Sequence, residues 1–190
     1  MLVASLCSLA LVDTSGRQLG GAIEVQTLDT MPPIELAAVQ TNDIYLEVTG
    51  FTGGESTASK HSGLSTVIGV TSGVTRSSPT AKAIAESFII TKPIDAYTIQ
   101  FAKAVNTGIH LATVRIFFTT PGQAPIDKFV YTLSDVVVMR SAQSFKDGDS
   151  TETVRLFFNR ISMVYRKQNT TGTVTVFTYC WDYPTNTSCA

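Results

Sequence analysis

His61 and His110 are the only two imidazoles in this 190-residue chain, so any acid–base chemistry near neutral pH would centre on them. Nucleophilic catalysis also needs a nucleophile held against its base, and many Ser and Asp residues could in principle supply one. The motifs that would fix such a pairing are missing, however. There is no Gly-x-Ser-x-Gly elbow, no His-Glu-x-x-His, and no outstanding pair of carboxylates. His61 falls in a polar loop and His110 opens a strand, so each is expected to be a hydrogen-bonding residue of the scaffold. Glu47 and Glu55 are expected to be solvated.

The glycine-rich stretch Gly50–Lys60, GFTGGESTASK, is the next candidate. A phosphate-binding loop needs Gly directly before its Lys and a hydroxyl residue directly after, ahead of a helix. Here Ser59 precedes Lys60, His61 follows, and the setting is strand to strand, so the stretch is not a nucleotide site. Cys7, Cys180 and Cys189 form no Cys-x-x-Cys pair, and two histidines add too little for a zinc centre. Cys180 and Cys189 are near enough in sequence to bond in an oxidising compartment, whereas reduced thiols are the expected state of a cytosolic precursor. The triplets at Asn169 and Asn186 mark surface loops. Trp181 reads equally as a core aromatic or an interface anchor. No catalytic residue, cofactor or metal is expected.

The elements that carry these residues begin from an unusual composition. Charged residues make up 15% of the chain, well below the roughly 25% of an average domain, while Ser and Thr are abundant. A surface partly covered by other subunits accounts for that balance. The net charge of −1 and the lack of a basic stripe exclude an ordinary nucleic-acid binder. Met1–Val12 is apolar but too short to span a membrane and lacks the basic start of a signal peptide. Residues 1–42 therefore read as an N-terminal extension, strand-turn-strand or signal-like, ended by the Met31-Pro32-Pro33 break. Residues 43–190 read as one β-rich domain.

Alternation predicts strands at Asp43–Val48, Ser65–Val74, Glu86–Thr91, Leu111–Thr119, Lys128–Met139, Thr151–Arg166 and Val174–Asp182. Residues 76–83 form a loop. One helix is predicted over Lys92–Asn106, capped by Thr91 with Pro93 in its first turn and Gly108 beyond its end. Ile94, Tyr97, Phe101, Ala104 and Val105 form its single apolar stripe, so it should lie against a sheet. In FVYTLSDVVVM the inward set passes from Phe129, Tyr131 and Leu133 to Val136 and Val138. In TVRLFFNRISMVY it passes from Val154, Leu156 and Phe158 to Ile161, Met163 and Tyr165. Matching changes of parity imply sharply bent strands. The expected fold is mainly β: a small closed or two-sheet antiparallel barrel with one flanking helix.

Several stretches taken in order resemble one family. DIYLEVTGFTGGESTASKHSG (Asp43–Gly63), SFIITKPIDAYTIQFAKAV (Ser87–Val105), FVYTLSDVVVMR, ETVRLFFNRISMVYR and VTVFTYCWD are similar to segments of the hemolysin-coregulated (Hcp) proteins of type VI secretion. The resemblance covers Asp43–Asp182. It implies a barrel whose copies close into six-membered rings that stack into a tube. Such a tube sits inside a sheath, carries a spike and possible effector cargo, and passes from the bacterial cytoplasm to the outside. It implies no catalytic residues, cofactor, nucleic acid or membrane insertion, and the residues after Asp182 are too few for a fused toxin domain. The loop at 75–83 is shorter and less glycine-rich than in many relatives. Within the resemblance, Thr75, Arg76, Ser77, Ser78 and Pro79 are the expected ring-stacking loop. Thr98, Lys103 and Asn106 are expected to face the lumen or a subunit seam. A tube protein of a phage-like injection system and a secreted β-barrel binding module are the alternatives.

Overall fold

The computed structural model describes residues 43–122, 124–169 and 172–189. The expected extension at 1–42, with Cys7, lies outside the described residues.

Strand β1 is Asp43–Val48; β2 (Ser65–Val67) and β3 (Gly69–Thr71) follow a glycine-rich loop. Short strands β4 (Val74–Thr75) and β5 (Ile84–Ala85) pair as a separate hairpin. Next come β6 (Phe88–Pro93), helix α1 (Ala96–Thr107) and β7 (His110–Thr119). Two 20-residue strands follow, β8 (Asp127–Lys146) and β9 (Asp149–Gln168). The order ends with β10 (Val174–Asp182) and β11 (Thr187–Ser188).

Antiparallel pairing runs β2–β1–β7–β8–β9, and β9 also pairs with β6, which pairs with β3. Ile68 alone separates β2 from β3, and its N–H donates to Thr91 O at 2.8 Å. The hydrogen-bonded circuit therefore closes, which makes this the closed barrel rather than the two-sheet form of the expectation. Closure removes edges that would otherwise attract other strands.

The expected bend is present, and it extends to a third strand. Burial passes from Val136 to Leu133 on β8 and from Phe158 to Ile161 on β9, and also from Leu111 to Val114 on β7. The pairings of β7–β8 and β8–β9 hold one register through this point, skipping Asp135 on both sides. The change of face is therefore a line across the sheet through Ala112, Asp135 and Asn159. Asp135 meets it in the left-handed region at φ 51°, where Asp is tolerated better than most residues. A second irregularity at Met139 shifts β8 by one residue against β9. Beyond it the two strands run on as a hairpin closed by Asp147-Gly148 with Gly148 at φ 79°. An Asp-Gly pair is the favoured two-residue connection, so Arg140–Lys146 is strand where the sequence reading placed a connection.

The helix starts later than expected. Asp95, not Thr91, is the N-cap: its side chain accepts from Tyr97 N, Thr98 completes a capping box, and Pro93 ends β6 instead of opening the helix. Gly108 closes it in the left-handed conformation as expected. Tyr97, Phe101 and Ala104 enter the core with Leu46, Phe88, Ile116 and Leu133, while Ile94 lies ahead of the helix and is half-buried. Phe51 meets both Tyr97 and Phe101 edge-on, a favourable aromatic arrangement.

A buried polar node fastens the helix start to the sheet. Lys92 and Glu152, both 0% exposed, stand opposite each other on β6 and β9. The Lys92 Nζ donates to Asp95 Oδ1 at 2.7 Å and Pro93 O at 2.6 Å, with Glu152 Oε2 at 3.4 Å. Thr98 Oγ1 donates to Glu152 Oε2 at 2.8 Å and Ser141 Oγ to Glu152 Oε1 at 2.6 Å. Every charge in the node has a partner, which is the condition for holding it in a core. Lys92→Ala is expected to cost about 3–5 kcal/mol in denaturant unfolding, because it leaves Glu152 buried and unpaired. Lys92→Met with Glu152→Met should recover part of that loss, and a double variant less stable than Lys92→Ala alone would count against the node.

Candidate assembly surfaces

His61 sits 5% exposed between the rings of Tyr45 (4.6 Å between centroids) and Phe117 (4.7 Å). Its Nε2 lies 2.8 Å from Asp127 Oδ1 and 3.2 Å from Thr119 Oγ1, and Thr119 donates to the same carboxylate oxygen at 2.9 Å. Lys60 Nζ takes the other oxygen at 2.7 Å. A catalytic relay uses one ring nitrogen for the carboxylate and the other for the nucleophile. Here one nitrogen faces both, so the group cannot relay a proton from Thr119. The adjoining cleft is about 110 Å³, below the roughly 300 Å³ at which small-molecule sites begin. The cluster is a clamp that pins the Gly50–Gly63 loop to the start of β8, in keeping with the scaffold role expected of His61. Burial of Asp127 opposes its ionisation, yet hydrogen bonds from Lys60, His61 and Thr119 hold its pKa below the usual carboxylate value.

The glycines beside this clamp serve close packing. A Cβ on Gly54 would fall 2.2 Å from the carbonyl carbon of Leu64, which excludes any larger residue at that crossing.

His110 is exposed and bonds through Nδ1 to Asp135 Oδ1 at 2.6 Å, and Asn159 donates to the other Asp135 oxygen. Three strands are thereby joined at the bend. These bonds, His110 first and Asn159 next, lower the Asp135 pKa. Glu47 lies at the solvated surface as expected and also pairs there with Arg115 at 2.9 Å across β1 and β7. Glu55 is exposed.

Among the expected stacking residues, Thr75 lies in β4, and Arg76, Ser77, Ser78 and Pro79 begin the exposed loop between β4 and β5. Arg76 Nη1 donates back to Pro79 O at 3.3 Å. Exposed Val74 and Ile84 stand at the loop's base. Of the helix residues, Lys103 and Asn106 are exposed. Thr98 is not available to a lumen or seam: it is 5% exposed and its hydroxyl is committed to Glu152. The reason is helical phase: Thr98 stands three residues before Phe101 and seven before Val105, on the same face as the apolar stripe.

Two strand segments were missed as surfaces, because sequence alternation does not show which edge lacks a neighbour. Among the described residues, β8 has no partner on its outer edge beyond Val137. Likewise β10 is covered by β11 at Trp181 and Asp182 alone, which leaves Val174–Tyr179 open. Val174, Val176, Phe177 and Tyr179 on that open stretch are 42–55% exposed. Trp181 rests half-buried against the core. Cys180 and Cys189 form a disulfide, the one of the two states that the sequence left open for an oxidising compartment. The turn through Asn186 folds β11 back so that Cys189 N reaches Cys180 O at 3.3 Å, and the two side chains are brought side by side. Asp182 holds this turn, accepting from Thr185 N at 3.0 Å and from Arg160 Nη2 at 2.9 Å. Those bonds, the backbone one foremost, lower its pKa to about 2.

Both Asp127 and Asp182 titrate lower in the folded state, so their contribution to stability is whole above the ordinary carboxylate range and is lost as pH falls. Melting curves should therefore drop between the ordinary value of 3.8 and about 2 for Asp182. Asp182→Asn should flatten part of that drop, and an unchanged pH profile would contradict the assignment.

A family model described as "Type VI secretion system effector, Hcp" matches residues 45–165. In structure the chain is similar to Hcp1 from Salmonella typhimurium, with a TM-score of 0.68 and 22% identity over 78% of this chain and 99% of that one. It is also similar to a type six secretion system protein, with a TM-score of 0.70 and 21% identity over the same shares. A type VI secretion system effector from Yersinia pestis follows, with a TM-score of 0.59 and 19% identity over 72% of this chain and 98% of that one. No curated protein matches the chain by sequence.

Proposed function

The chain belongs to the Hcp family of type VI secretion proteins, and on that premise we propose that it is the ring subunit of a secretion tube. The family is one of structural, secreted tube proteins. Copies close into a six-membered ring, rings stack inside a sheath behind a spike, and the tube leaves the cytoplasm on firing with effector cargo in its lumen. The chain performs no catalysis in this role.

The observation that carries the reading, beside the family match, is the pair of strand edges that have no partner among the described residues. An open edge of a stable sheet invites another strand, and natural proteins leave one free where a partner covers it. The outer edge of β10 at Val174–Tyr179 and that of β8 beyond Val137 belong to different patches of one molecule. Two unlike patches support head-to-tail contact, which closes into a ring when the rotation is right. The low charge of the chain and its exposed Ser and Thr suit repeated subunit contacts and a wetted lumen. No helix among the described residues is long and apolar enough to cross a membrane.

The loop Arg76–Pro79 is assigned to contact between rings, with Thr75 at its base, and the Lys103–Asn106 face of α1 to the lumen or a subunit seam. Size-exclusion chromatography with mass measurement should find particles of six chain masses, and a monomer at high concentration would sink the reading. Deleting Arg76–Thr80 should spare rings but reduce stacked tubes in micrographs. Lys103→Glu should change ring assembly or cargo retention, and no change in either would remove the helix from both roles.

A further inference from the structure

We propose that Phe145, near the end of β8 in one copy, inserts into an aromatic depression near the start of β8 in a second copy, giving a contact along the stack. The inference rests on the tube reading and adds to it a named knob and hole.

The knob is the tip of the β8–β9 hairpin. Phe145 is 74% exposed, the most exposed large apolar side chain among the described residues. It is not on a loose loop: Lys146 pairs with Asp149 across a two-residue turn, and the ladder continues unbroken to Arg140–Arg155. A whole phenyl ring at the end of a stiff arm offers apolar surface whose removal from water on contact is favourable.

The hole is built from Phe118, Phe129, Tyr131 and Tyr165, with Lys128 at its rim. These rings lie within 4.8–6.3 Å of one another in edge-on and tilted contacts, so the depression has fixed walls. Its volume is about 260 Å³, under the roughly 300 Å³ where small-molecule clefts begin. That size suits a single inserted side chain.

Charge agrees with the pairing. The hole has Lys128 at its rim, and Lys167 follows Tyr165 by two residues on the same face of β9. At the tip Asp147 and Asp149 outnumber Lys146, and all three are exposed. Opposite charges around an aromatic centre orient the encounter, while the buried ring supplies most of the affinity. Placement agrees as well. Phe129 and Phe145 sit near opposite ends of β8, separated along the strand by about 50 Å at the usual rise per residue. Knob and hole are thus different patches of one chain, and contact between unlike patches joins copies head to tail instead of closing on a two-fold axis.

The test uses the full chain and compares stacked with single rings by sedimentation velocity and negative-stain micrographs. Phe145→Ser removes the phenyl side chain but keeps the β8 backbone edge on which ring closure is argued, so rings should stay intact while stacking weakens at least tenfold. Asp147→Lys with Asp149→Lys should weaken stacking, as should Lys128→Glu with Lys167→Glu, and combining all four should restore it toward wild type. Rings whose stacking is unmoved by Phe145→Ser, or charge reversals that add without rescue, overturn this contact alone. Wild-type chains that form no rings overturn the tube reading and this contact together.

Discussion

A twenty-residue strand has more hydrogen-bonding edge than one neighbour can cover, and the architecture follows from how β9 is satisfied. β8 accompanies nearly its whole length on one side. On the other side two strands share the work: β6 takes Thr151–Leu156 and β10 takes Arg160–Gln168. The β6 half leads through β3 and β2 to β1 and closes the barrel. The β10 half leads away from the barrel, and its outer edge at Val174–Tyr179 has no partner among the described residues. One strand thereby belongs both to a sealed core and to an unsealed flange, and the flange is where an assembly has something to join. The change of face at Asn159–Arg160 falls between the two halves. Each half can then bury its own apolar set on the side it needs.

The Lys92 node solves a different difficulty. The chain leaves β6 and must turn into a helix over the barrel wall with its first amides unsatisfied. Asp95 caps them, and Lys92 neutralises that carboxylate while also facing Glu152 from the next strand. A hydrophobic residue in place of Lys92 would pack in a core equally well but would leave two buried carboxylates unanswered. Such a node fixes the register of β6 against β9 and the start of α1 together, consistent with the specificity that paired buried charges confer in some proteins.

Much of the β framework was readable because it rests on short-range pattern. The strand Asp43–Val48, the strand Val174–Asp182 and the left-handed Gly108 stand where alternation and capping rules put them. So does the double slip in β8 and β9, and the same signal was available in His110–Thr119, where Leu111 gives way to Val114. Asp147-Gly148 also carried a legible hairpin signal between strands that were read too short. The helix start was misplaced because a Thr and a Pro at the right spacing imitate a cap. Asp95 with Thr98 three residues on was the better signal, hidden by a Lys that ordinarily belongs in water. Among candidate site residues, the exposure of Arg76–Pro79, Lys103 and Asn106 was legible from polarity, and the burial of Thr98 was not. A hydroxyl side chain reads as surface until a carboxylate from a strand 54 residues away is brought against it.

By itself the chain determined its local conformations, because period-two alternation, left-handed glycines and helix ends are set by neighbouring residues competing over a few ångströms. It also showed no Gly-x-Ser-x-Gly or His-Glu-x-x-His pattern and a nearly balanced charge of −1. Tertiary structure alone decided that the circuit of strands closes, that Lys92 and Glu152 meet, and that His61 shares one nitrogen between Asp127 and Thr119. It also decided which strand edges lack a neighbour among the described residues. Those outcomes depend on which distant segments become neighbours, and their energies appear only once burial removes water from the pairs concerned.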